Sequence, residues 1–156
     1  MKRANGRPLR IASGQGFWGD GLEAPVRQVE GGPIDYLMLD YLAEVTMSIL
    51  QKQRSRDASQ GYARDFVPLM RDILPDIAAK GIRVIANAGG VNIEACRTAV
   101  LTEARNAKLQ GQVRVGVVTG DDIMPRLQQL IAAGHELRNM DTGRPLTDVL
   151  LSVLSA

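Results

Sequence analysis

The stretch Ile11-Ala12-Ser13-Gly14-Gln15-Gly16-Phe17-Trp18-Gly19-Asp20 reads as a strand running into a glycine loop. Leu9, Ile11 and Ala12 supply a short apolar strand. Gly14, Gly16 and Gly19 then follow in the G-x-G-x-x-G order that lets backbone N–H groups approach a phosphate or carboxylate closely. Glycine loses more backbone entropy on folding than any other residue, so this clustering marks a conformation that side chains would block. A tight strand-to-helix turn without a ligand gives the same spacing. Phe17 and Trp18 favour a pocket wall or a plug over the sheet end, because two large aromatics seldom stand idle in a loop.

Outward from this stretch the pattern repeats. Pro25 suits the start of a helix running to about Glu30, closed by Gly31 and Gly32. The nearly continuous apolar run 34–39, with Asp40 at its end, reads as a second strand. Leu42, Val45, Ile49 and Leu50 then fall at helical spacing, with Lys52, Arg54 and Arg56 at the end where cations suit the helix dipole. Asp65 is placed to cap a third helix through Val67, Met70, Leu74 and Ile77, with a kink expected at Pro75 and an end at Gly81. Ile82, Val84 and Ile85 give a third strand, followed by a second glycine turn over 87–92 and a helix over 93–108 capped by Asn92. Val113, Val115, Val117 and Val118 read as a fourth strand, and a further helix spans 123–133. The expected fold is α/β: a parallel, doubly wound, Rossmann-like sheet of at least four strands with helices on both faces.

At 156 residues the chain has the length of one domain, and 1–156 is taken as a single α/β domain. Lys and Arg exceed Asp and Glu by only 19 − 17 = 2, which argues against nucleic acid as a partner. No apolar run reaches signal-peptide or membrane-span length, so no membrane partner and a cytoplasmic location are expected. A lone cysteine, Cys96, cannot form an internal disulfide and agrees with a reducing compartment. With one His and one Cys, neither a His/Cys zinc cluster nor a Cys-His dyad has support, and no metal site is expected.

In parallel open sheets ligands bind beyond the carboxyl ends of the strands, so four loops should line one edge: 13–20, 40–44, 87–92 and 119–122. The ligand-binding candidates are Ser13, Gly14, Gly16, Trp18, Gly19 and Asp20 of the first loop, Asn87, Gly89, Gly90 and Asn92 of the third, and Gly120 and Asp121 of the fourth. Gly89 and Gly90 permit close backbone approach at the start of a helix, where an anion is favoured, and a plain capped turn explains them equally well. Asp121 and Asp122 suit a ribose or a hard cation, though capping is the commoner use of Asp before a helix. Asp40, Tyr41 and Glu44 bring two carboxylates and a phenol to the second loop, enough for acid-base chemistry if burial raises one pKa; they are the catalytic candidates. Asp40 also lies 21 residues after Gly19, near where a ribose-binding acid is expected in an NAD(P)-dependent oxidoreductase. Against that reading, Phe17 and Trp18 are bulky and the helix starts late, so a pyrophosphate loses its helix-dipole seat.

Five ordered blocks carry a resemblance: Ser13-Gly14-Gln15-Gly16-Phe17-Trp18-Gly19-Asp20; Asp35-Tyr36-Leu37 with Asp40-Tyr41-Leu42-Ala43-Glu44-Val45-Thr46-Met47; Asn87-Ala88-Gly89-Gly90-Val91-Asn92; Gly120-Asp121-Asp122; and Gly134-His135-Glu136-Leu137-Arg138-Asn139-Met140. Together they resemble the amino-terminal part of the acyclic terpene utilisation (AtuA-like) family over nearly the whole chain. The resemblance implies a catabolic role in the breakdown of branched acyclic terpenoids, which proceeds through acyl-CoA intermediates. It names no catalytic residue and no cofactor. The expected partner is therefore a small anionic metabolite, an acyl-CoA by this resemblance. The rivals are an oxidoreductase using the Gly14-x-Gly16-x-x-Gly19 loop and a noncatalytic interaction domain. Members of the family are several hundred residues long, so the chain is also read as a truncated amino-terminal part. The apolar run Val149, Leu150, Leu151, Val153 and Leu154 is then expected to meet a missing carboxyl-terminal region or to drive self-association.

Overall fold

The computed structural model describes residues 6–149, and the chain divides into two compact units, Met1–Val117 and Val118–Ala156. The first unit holds a parallel sheet of β1 (Ile11–Gln15), β2 (Tyr36–Leu39) and β3 (Arg83–Ala86) in the order β1-β2-β3. Between and after the strands come α1 (Glu23–Gly31), α2 (Glu44–Arg56), α3 (Phe66–Lys80) and α4 (Ile93–Asn106). This is the expected Rossmann-like α/β class.

The register pairs Leu37 with Ala12 on one side and Val84 on the other. Alternation then sends Ala12, Leu37 and Leu39 inward to meet α1 and α3, whose Val29, Leu69, Ile73 and Leu74 are almost fully buried. Gly14 sits where the register slips between Ser13 and Gln15. A Cβ there would lie 2.8 Å from Leu39 Cδ2 and 3.0 Å from Pro25 Cβ, so its missing side chain is what lets α1 seat against the sheet.

The two sheet faces are not covered alike. On the outer face Ile11 is 60% exposed, Met38 44% and Ile85 57%. The cause is topological: strands ordered 1-2-3 without reversal, joined by connections of the usual right hand, lay their helices on one face. Helices on both faces, as in a doubly wound sheet, require a reversal of strand order, and the three described strands do not include one.

Helix boundaries follow local chemistry. Gly81 closes α3 in the left-handed conformation at φ 66°, with its N–H donating to the Ile77 carbonyl. Asp65 and Asn92 stand at the expected cap positions of α3 and α4, yet neither side chain caps.

The expected fourth strand is not formed, and the described sheet has three strands rather than at least four. Residues 113–118 lie outside the sheet; Val113 and Val115 pack on the core, while Val118 is 89% exposed. A β-branched run favours a pleated, half-buried surface only where a ladder partner supplies one, and here the segment is held by Arg97 Nε donating to the Val115 carbonyl.

The second unit contains single 3-10 turns at Met124–Arg126 and Leu146–Asp148 and a short helix, α5 (Leu127–Ala132). Asp122, one residue before the cap position of the first turn, accepts the Met124 N–H at 2.9 Å. Past Val149, the apolar run at the chain end lies outside the described residues.

Candidate carboxyl-edge site

Because the three strands are parallel, the segments after β1, β2 and β3 emerge at one edge. Backbone and side-chain bonds tie them together. The Asp40 N–H donates to the Gln15 carbonyl, joining the first two loops. Asn87 joins the second to the third: its Nδ2 donates to Asp40 Oδ1 at 2.7 Å, and its Oδ1 accepts the Tyr41 N–H at 2.7 Å. A side chain with both a donor and an acceptor is needed for this clasp, which explains Asn at position 87.

The glycines divide by purpose. Gly14 is a packing glycine, as above. A Cβ on Gly89 would come within 2.7 Å of Ile93 Cγ1, and one on Gly90, at φ 51°, would meet Leu50 and lie 2.7 Å from the Gly61 carbonyl oxygen. Gly16, Gly19 and Gly120 have open space where a Cβ would be.

The loop after β1 is closed by its own acid. Asp20 Oδ2 accepts the Gly16 N–H at 3.2 Å and Oδ1 accepts the Gly21 N–H at 2.8 Å, so a carboxylate already occupies donors that a phosphate would need. Helix α1 begins at Glu23, whose own negative charge stands in its first turn. The shallow depression beside it, lined by Asp20, Gly21, Glu23, Ala24, Arg27 and Gln28, carries two carboxylates, and its Arg27 is paired with Glu23. Trp18 folds back from the loop, packs against the core, and donates its indole N–H to Asp65 Oδ1 at 2.9 Å. Asp65 thus anchors the loop instead of capping α3, a role the sequence reading missed.

The acid-base candidates separate. Asp40 is half-buried, with Oδ1 accepting from Asn87 and from the Leu42 N–H. Glu44 opens α2 in solvent. Tyr41 is fully buried and meets Phe66 edge-on at 5.7 Å between ring centroids, so it belongs to the core and not the rim. Burial, aided by the Asp65 charge, pushes its phenol well above the usual range. Asn92 turns its amide away from α4 to donate to the carbonyls of Ala58 and Gln60. The N–H groups opening α4 are left without a side-chain cap. Ser13 lies on the exposed face of β1. Gly120 and Asp121 belong to the second unit, where both are exposed.

Gln15 is a further residue that the sequence reading passed over. It ends β1 at 2% exposure, its Nε2 donates to the Asp20 carbonyl, and its Oε1 is buried without a partner. The signal available was a polar residue in a strand position facing inward.

The fold and this edge define a parallel α/β protein of the Rossmann-like class. The family model of the acyclic terpene utilisation family protein AtuA matches residues 9–156, and the chain belongs to that family. No curated protein and no solved structure matches it. Among the described residues no helix is long and apolar enough to cross a membrane.

Proposed function

We infer that this chain is a cytoplasmic catabolic protein of the acyclic terpene utilisation type that binds a small anionic metabolite, an acyl-CoA, at the carboxyl ends of its strands. The observation that carries the reading is the diversion of Asn92. Its amide serves the 58–60 backbone, which leaves the first turn of a 14-residue helix, directly after β3, without a side-chain acceptor. Uncapped N–H groups and the positive end of the helix dipole together favour an anion there. Glu94 in the same turn is paired with Arg97, which moderates its competition.

The nicotinamide reading has less support. It needs Asp40 to address a ribose beside the Gly14–Gly19 loop, and Asp40 Oδ1 is bonded on the opposite side, to Asn87 after β3. A pyrophosphate would also have to displace the Asp20 carboxylate from Gly16 and Gly21.

A thermal-shift panel of acyl-CoA esters, free CoA, NAD(H) and NADP(H) tests the choice. A one-site ligand at a hundredfold its dissociation constant adds about 2.7 kcal/mol of stability. CoA species are expected to raise the midpoint. If no compound moves it, the anion site fails, and if only the nicotinamide cofactors do, the oxidoreductase reading replaces it.

A further inference from the structure

We draw no further inference here: the strongest candidate, the outer face of the parallel sheet at Ile11, Met38 and Ile85, carries none because nothing in the structure shows what covers that apolar patch.

Discussion

The two ends of β2 each carry an aspartate, Asp35 before the strand and Asp40 after it, and the molecule treats them in opposite ways. Asp35 is 3% exposed and bonded from several directions: Oδ2 accepts the Arg10 N–H at 2.9 Å, and Oδ1 lies 3.5 Å from both Arg7 and Arg10 guanidinium groups. Its backbone also bridges the strands, its N–H donating to the Arg10 carbonyl and its carbonyl accepting from Arg83. Asp40 is half-buried, and among the described residues only Oδ1 accepts hydrogen bonds. At the amino edge the Asp35 carboxylate is buried and satisfied, the signature of structure, although Arg10 Nε beside it is buried without a hydrogen-bond partner. At the carboxyl edge the Asp40 carboxylate stays half-exposed and joins loops instead of strands. The contrast separates an aspartate that holds the strands together from one that joins the loops after them, at the edge where the proposed function puts its ligand.

If that contrast is right, the carboxyl edge should still be intolerant at its packing glycines, because its backbone is fixed even where its side chains are not. Gly90 gives the largest effect. It combines φ 51° with a Cβ position 2.7 Å from the Gly61 carbonyl oxygen, a backbone atom that cannot step aside as a side-chain end can. Gly90→Ala is expected to cost about 3 kcal/mol through left-handed strain plus overpacking. Denaturant unfolding measures it, and a loss under 1 kcal/mol would show that the 87–92 loop is free to rearrange.

The amino edge is next. Asp35→Ala removes the acceptor of a part-buried backbone N–H and a charge shared by two arginines. Because those arginines are about half exposed, water recovers much of their interaction, and the expected loss is about 2 kcal/mol. Asp40→Ala, by contrast, should leave stability within about 1 kcal/mol, since exposed or half-exposed groups away from a packed core cost little. Equal losses at the two positions would erase the distinction between the edges.

Much of this was legible in the chain. The strand-loop-helix alternation placed three strands and four helices because apolar periodicity and glycine stops act locally, and Gly81 is the clearest case. The edge itself followed from parallel topology, and Asn87, standing after a strand, lies at it. What could not be read were features set by tertiary geometry. Residues 113–118 have strand composition without a ladder partner. Asp65 and Asn92 occupy cap positions yet spend their side chains on Trp18 and on the 58–60 backbone. Tyr41 sits beside two rim acids in sequence, but its ring turns into the core against Phe66. In each case the sequence position was right and the partner was supplied by a distant segment.

The smallest effect concerns pH and again separates the edges, because the buried groups that resist ionisation lie near the carboxyl one. Cys96 stands in the first turns of α4, and burial pushes its thiol up to about 11 from an ordinary 9.0. The unfolded chain therefore releases this proton from about pH 9 upward while the folded chain retains it, so stability contributed by the neutral thiol is intact below pH 9 and is lost as pH rises toward 11. At pH 10 the loss is about 1 kcal/mol. Tyr41, raised by the same burial, adds loss of the same sign at higher pH. Unfolding free energies measured from pH 8 to 10.5 should fall for the wild type and fall less steeply for Cys96→Ala, whose offset at pH 8 reports the lost sulfur packing separately. Parallel curves for the two proteins would mean that the thiol reaches solvent in the folded state, and that the packing beneath the carboxyl edge is looser than that of the amino edge it is set against.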